Sequence, residues 1–153
     1  MSVKRGARTG GRICAALLAL TLVACPASSE DAIPNVRLGM APRDVRERFS
    51  PGGEGRWQTA MGQGDDTVLE WTSTTSAGAF TQARFEFHLG MLVAIRARAT
   101  QGGRRENVHA TAKTVTAWSV NSSGTYDVAV LSRDCPTHHD EAESLAARAS
   151  ANR

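Results

Sequence analysis

Two kinds of hydrophobic pattern run along this chain, one with the spacing of a helix and one with the alternation of a strand. In "VRLGMAPRDVRERF", residues 36–49, Val45 and Phe49 lie four residues apart and would share one helix face. Pro42 suits the first turn of a helix, and the "PGG" that follows Ser50 suits its end. We therefore predict a short amphipathic helix that begins near Pro42, follows a glycine-containing turn and stops at Ser50.

The segment "ARFEFHLGMLVAIRA" predicts a β-hairpin, because apolar and polar residues alternate before Gly90 and apolar residues resume after it. A two-residue loop at 89–90 would place Phe87 opposite Leu92. The apolar residues Met91, Val93 and Ile95 would then lie on the polar face. A three-residue loop at 88–90 keeps the apolar sets together by pairing Phe87 with Met91, Phe85 with Val93, and Ala83 with Ile95. We predict the three-residue loop, with Gly90 in the left-handed conformation.

Residues 107–120, "NVHATAKTVTAWSV", fit a helix by spacing and a strand by composition. We favour a strand in the second half, because "NSSG" followed by "TYDVAVLS" is typical of a hairpin. Its second strand would carry Tyr126, Val128 and Val130 on one face. A closing helix is predicted from near Thr137, with Thr137 and Asp140 or Glu141 as caps and with an apolar stripe of Ala142, Leu145, Ala146 and Ala149.

The glycine-rich stretch "SPGGEGRWQTAMGQGDD" between helix and hairpin predicts a loop. It lacks the GK[ST] and the strand-turn-helix context of a phosphate-binding loop. Trp57 lies in this stretch and is a candidate interface residue, the alternative being a loop residue folded over the sheet. Trp71, in "VLEWTS", is expected in the core.

The first residues carry a cationic region and then a short apolar run, residues 13–24, which indicates a secretory signal over residues 1–24. The run ends in "LVAC", which resembles the lipobox of bacterial lipoproteins. That resemblance implies cleavage before Cys25 and its lipidation. Residues 25–34, "CPASSEDAIP", are small, polar and bounded by proline, which predicts a flexible tether. Pro26, in place of the aspartate that retains such proteins at the inner membrane, favours the outer membrane.

Removing the signal changes the charge of the protein. The whole chain has 18 Lys+Arg and 15 Asp+Glu, and residues 1–24 hold four of the bases and none of the acids. The remaining chain therefore has a net charge of −1, which gives no support for a nucleic-acid partner.

Residues 36–98 resemble the SmpA/OmlA family of outer-membrane lipoproteins. Val36, Gly39, Met40 and Val45 match the family's opening motif, with Ala41 in place of threonine; Trp71 and the hairpin at Gly90 match its later elements. The resemblance implies an α+β domain over residues 35–100 that assists envelope protein assembly. It carries no partner-binding residue onto this chain, and the family's second helix has no good counterpart here.

The densest group of potentially reactive side chains precedes the closing helix: Asp134, Cys135, His138, His139, Asp140 and Glu141. Cys135 with His138 or His139 could supply part of a zinc or copper site, completed by His88 or His109. A cysteine nucleophile is less consistent with the chain, because no oxyanion hole is recognisable. A thioredoxin-like centre is less consistent because that fold needs further strands after the motif, and too few residues follow. The alternative interpretation is structural: Cys135 is a small buried hydrophobic residue, and the His and acidic residues after it form the solvated start of a helix, with no chemical function.

We therefore predict an α+β fold: a short N-terminal helix, an antiparallel sheet of about three strands, and a C-terminal strand pair with closing helix in an extension over residues 101–153. The expected function is that of a lipid-anchored, non-enzymatic interaction module on the periplasmic side of the outer membrane, with an envelope protein as partner and without a cofactor. The alternative is a periplasmic lipoprotein that binds a small ligand, a metal or an inhibited enzyme on its open sheet face.

Overall fold

A computed structural model describes residues 32–61, 65–100 and 107–151. The predicted signal, Cys25 and most of the predicted tether lie outside the described residues. Within them the elements are α1 (Pro42–Arg48), β1 (Gly55–Met61), β2 (Thr67–Ser73), β3 (Phe80–His88), β4 (Met91–Ala99), β5 (Asn107–Ala110), β6 (Thr114–Val120), β7 (Tyr126–Ser132) and α2 (His139–Ala151). No helix in these ranges is both long and apolar enough to cross a membrane.

The described strands form one antiparallel sheet of seven, in the order β1-β2-β3-β4-β7-β6-β5. The predicted fold class, with about three strands and a separate strand pair, is therefore wrong. β7 pairs directly with β4, so that β5, β6 and β7 continue the sheet begun by β1 to β4. The helices are minor elements packed against a fold that is mostly sheet.

One face of the sheet, here called the covered face, carries the main hydrophobic core. Its buried residues come from β2, β3, β4 and β7 and are packed beneath α1 and the segment before it: Leu69, Trp71, Phe85, Phe87, Ile95, Val128 and Val130, with Ile33, Val36, Val45 and Phe49 above them. Helix α1 begins at Pro42 as predicted and ends at Arg48, and it buries Val45. Tyr126, Val128 and Val130 share this face, as predicted.

The predicted hairpin exists, but its predicted loop is wrong. Leu89 and Gly90 form a two-residue turn with φ of 50° and 76°, and Phe87 pairs with Leu92. An irregularity between Glu86 and Phe87 leaves Val93 unpaired as an extra residue in β4. This bulge reverses the alternation, so that Leu92 and Ile95 both reach the covered face.

Strand β1 occupies the stretch that glycine content predicted to be a loop. It is an edge strand, exposed on most of its residues, and therefore lacks the alternation that would identify it. Gly55 is required there, because a Cβ at this position would overlap the indole ring of Trp71. Trp57 lies directly opposite Trp71 in the register.

The second helix, α2, covers the other face of the sheet over β5, β6 and β7. Ala142 and Ala146 pack with Ala94, Val115 and Leu131 in a smaller core. Of the predicted apolar stripe, Ala142, Ala146 and Ala149 are buried, and Leu145 is partly buried against the smaller core. The part of this second face that α2 leaves open is here called the charged face.

Candidate functional site: a charged groove on the open sheet face

A groove of about 600 Å³ lies on the charged face, between the flank of α2 and the middle of the sheet. Its floor includes a row of register partners that crosses four strands, namely Arg96, Ala129, Ala117 and Val108. The floor is deep here because two of these residues are alanines, whose side chains fill little space. The next row, Arg98, Asp127 and Ser119, forms the outer part of the groove.

Helix α2 supplies one wall of the groove through Glu141, Leu145 and Arg148. These residues are four and three positions apart, so they share one face of the helix. The wall therefore offers one carboxylate, one apolar side chain and one guanidinium to anything that lies in the groove.

A chain of ion pairs runs across the charged face from β2 to α2. Arg84 donates to Glu70 at 2.6 Å and to Glu86 at 3.1 Å, and Arg96 lies 3.5 Å from the same Glu86 carboxylate oxygen. Arg84 and Arg96 are direct cross-strand neighbours, a like-charge arrangement that is unfavourable unless an anion lies between them. Glu86 is that anion.

Arg96 ends the chain of ion pairs by binding α2 at two points. Its Nη1 donates to Oε1 of Glu141 at 2.9 Å and its Nη2 donates to Oε2 at 2.6 Å. The hydrogen bonds from Arg96 lower the pKa of the Glu141 carboxyl below its ordinary value, and they raise the pKa of Arg96 in turn. This pair fixes the start of α2 against the sheet.

The unengaged polar groups of the groove are mainly donors. Three carboxylates line the groove: both oxygens of Asp127 and Glu141 already have partners within the described residues, and Glu70 has its Oε1 bound by Arg84. By contrast, Arg98 uses only Nε, towards Asp127 at 2.9 Å, and Arg148 has no hydrogen bond or ion pair among the described residues. Ser119 and Gln82 likewise line the groove without a side-chain partner in that part of the chain. The groove is therefore complementary to a ligand rich in acceptors.

The sequence-predicted reactive group does not assemble into a site. Cys135 is buried and lies between β7 and α2, and its carbonyl accepts the N–H of His138 at 3.1 Å. His138 is also buried and places Nε2 3.4 Å from Oε2 of Glu86. His139 is exposed, with Nδ1 2.9 Å from the carbonyl oxygen of Arg133.

His88 and His138 both line a second, smaller cavity of about 180 Å³ near the start of β2. The Nδ1 atom of His88 lies 2.7 Å from Oδ1 of Asp66. The residues described here nevertheless contain no group of three or more His, Cys, Asp or Glu side chains that could hold a metal ion. His109 lies on β5, at the far edge of the sheet from His88.

The structure places Trp57 on the covered face, where it is partly buried against the core. Its ring centroid lies 5.8 Å from Phe49 and 5.7 Å from Phe85, and the guanidinium of Arg46 lies 5.6 Å from its ring. This placement corresponds to the alternative weighed for Trp57, a residue packed over the sheet.

The groove residues were missed by sequence reasoning. Arg96, Arg98 and Asp127 occupy the polar positions of alternating strands, which is the pattern of an ordinary solvated face. Only the pairing of β4 with β7 and the position of α2 bring them together. No protein-family model, no curated protein and no solved structure matches this chain.

Proposed function

We propose that this protein is a lipid-anchored, non-enzymatic interaction module of the bacterial outer membrane, facing the periplasm, whose groove binds an acidic segment of an envelope protein. The observation that carries the proposal is the surplus of free donors in the groove: its carboxylates are largely consumed by ion pairs, whereas Arg148 and the terminal nitrogens of Arg98 are not. The lipobox-like "LVAC" at residues 22–25 supports the anchor. The resemblance to SmpA/OmlA proteins is the ground for expecting a partner in envelope protein assembly.

The proportions of the groove suit a peptide segment that combines charge with a small apolar side chain. The groove that holds the free guanidinium of Arg148 is also lined by Leu145, Val108 and the two floor alanines, so an acidic side chain and an apolar neighbour would be accommodated together. Carboxylates pair with arginine through charge-assisted hydrogen bonds, which are stronger than neutral ones. The ion-pair chain keeps the floor rigid before a partner arrives, which lowers the ordering cost of binding.

The test is photocrosslinking in native outer membranes, with the full lipidated chain carrying a benzophenone amino acid at Ser119 in the groove. Lys113, an exposed residue in the turn between β5 and β6, is the matched control position. We expect the Ser119 probe to capture a protein segment that is acidic when sequenced by mass spectrometry, and the Lys113 probe to capture none. A Cys25→Ala variant is expected to leave the membrane fraction.

Charge reversal separates groove binding from chance proximity. Arg148→Glu should abolish the crosslink, whereas Arg48→Glu, at an exposed position on α1 on the opposite face, should leave it unchanged. Equal crosslinking from both probe positions, or a captured segment without carboxylates, would contradict the proposal.

A second candidate, a small anionic ligand, is favoured by the volume of the groove alone, since about 600 Å³ lies within the range of small-molecule sites. It predicts a bound mass in native mass spectrometry of the purified protein that disappears in Arg148→Glu. The crosslinking experiment would then yield no protein from Ser119.

A further inference from the structure

The exposed apolar side chains of this protein are concentrated at one end of the sheet. Among the described residues, the large hydrophobic side chains that are exposed are Met61 (81%), Leu89 (62%), Met91 (54%) and Val120 (44%). The first three lie at the end that carries the turn between β3 and β4, here called the hairpin end. Val120 lies at the opposite end, beside the turn between β6 and β7.

Leu89 occupies a backbone position that is unfavourable for leucine. Its φ is 50°, and Gly90 after it has φ of 76°, which is the geometry of a two-residue turn that favours Asn or Asp followed by Gly. A leucine held there costs stability through backbone strain, and its exposed side chain gains nothing from burial. Strain of this kind is typical of positions kept for function.

The segment that leads back towards Cys25 is attached at the same end of the sheet. The N–H of Gly39 donates to the carbonyl of Leu92 at 2.8 Å, and the N–H of Leu92 donates to the carbonyl of Met40 at 2.9 Å. Leu92 is the second residue of β4, adjacent to the exposed Met91. Residues 39–40, seven and eight positions after Ala32, are thus fixed to the hairpin end.

Covalent geometry keeps the fold close to any lipid on Cys25. Ala32, the first described residue, is buried in the core, and the seven residues from Cys25 can extend at most about 25 Å. A bilayer that holds Cys25 therefore lies within reach of the protein surface. Apolar side chains that are exposed towards it would be buried at the headgroup boundary.

We propose that the hairpin end is a membrane-contact surface, and that Met61, Leu89 and Met91 insert into the interface of the bilayer to which Cys25 is anchored. This inference rests on the lipid anchor of the proposed function. Asp65 and Asp66 lie at the same end, and Asp66 is paired with His88 at 2.7 Å, so the contact is driven by apolar burial rather than by charge. Added salt is therefore not expected to weaken it.

The contact would also orient the groove. Arg98 lies six residues beyond Leu92 along β4, which corresponds to roughly 20 Å of strand. With the hairpin end against the bilayer, Arg98 and Ser119 would lie on the side away from the lipid, where a periplasmic partner can reach them.

The test uses the full lipidated chain in vesicles of phosphatidylethanolamine with a minor fraction of phosphatidylglycerol and a nitroxide-labelled phospholipid. Single cysteines carrying the fluorophore NBD replace Leu89 or, as matched control, Val120, in a Cys135→Ala background. We expect the nitroxide to quench the label at 89 at least about twofold more than the label at 120, with or without salt.

A second variant tests the native side chains. With the label at Met61→Cys, the combined substitutions Leu89→Asn and Met91→Ser should reduce quenching, because the neighbouring apolar contacts are lost. Mass spectrometry of Cys25 separates the two proposals. A chain without lipid overturns both the anchor and the membrane contact, whereas a lipidated chain with equal quenching at positions 89 and 120 overturns only the membrane contact.

Discussion

Arg96 on β4 and Glu141 on α2 form a two-point salt bridge, with Nη1–Oε1 at 2.9 Å and Nη2–Oε2 at 2.6 Å. The bridge joins the ion-pair chain of the charged face to the helix that walls the groove. It gives the groove a fixed width at one end, and the protonation state of Glu141 is linked to the docking of α2.

The first prediction concerns the pH dependence of this bridge. The hydrogen bonds from Arg96 lower the pKa of Glu141 in the folded protein below its ordinary value, so the bridge contributes stability above the unfolded pKa and loses it as the pH falls through the folded pKa. Both side chains are more than one third exposed, so Glu141→Gln should lower the free energy of unfolding at pH 7 by only about 0.5–1 kcal/mol. Urea unfolding followed by circular dichroism measures this.

The control for that prediction is Glu54→Gln, since Glu54 is exposed and its carboxylate has no partner among the described residues. The two variants should converge in stability in acid strong enough to protonate Glu141 in both the folded and the unfolded state. A difference that persists unchanged into strong acid would show that the bridge is not the cause.

The second prediction concerns Phe49, which anchors the end of α1 in the covered face. Its ring centroid lies 5.1 Å from Phe85 and 5.3 Å from Trp71, in edge-on geometry. Phe49→Ala leaves a cavity among these rings and should cost about 3–5 kcal/mol. Arg48→Ala, the adjacent exposed position, should stay within about 0.5 kcal/mol. Thermal unfolding followed by tryptophan fluorescence compares them, and equal stabilities would contradict the role of Phe49.

The elements that bury one face were predictable from the sequence. The apolar residues of each element follow the period of a helix or of a strand, and they meet in one core as expected: Val45 with Phe49, Phe85 with Phe87, and Val128 with Val130. These predictions succeed because burial of one face is a local, periodic property.

The edge strand and the register were not predictable in this way. Strand β1 is exposed on nearly all its residues, so its sequence carries no alternation, and glycine at position 55 is present to admit Trp71. The bulge at Val93 changes the register of β4. A single unpaired residue cannot be recognised from the apolar pattern of the sequence, so the register was predicted wrongly. The groove is assembled from seven elements, so its residues are separated in sequence by up to about 80 positions.

The third prediction concerns the strained turn. Leu89→Asn should raise the free energy of unfolding in solution by about 0.5–1 kcal/mol, because asparagine tolerates a positive φ that strains leucine. Met91→Asn, next to the turn in extended conformation, is the control and should not stabilise the protein. Chemical unfolding measures the free energy of unfolding of both variants. A destabilised Leu89→Asn would show that the leucine side chain stabilises the fold itself.

The last prediction concerns Cys135, which is 4% exposed and lies in the short connection between β7 and α2. Only the thiolate attacks an alkylating reagent, and a thiol enclosed by packed side chains reacts only when the structure opens. In a chain with Cys14→Ala and Cys25→Ala, Cys135 should therefore react with iodoacetamide at neutral pH at least about tenfold more slowly than an added Ser119→Cys. Urea should remove the difference. Rapid alkylation of Cys135 in the folded protein would contradict its placement and would favour an envelope thiol enzyme over a binding module.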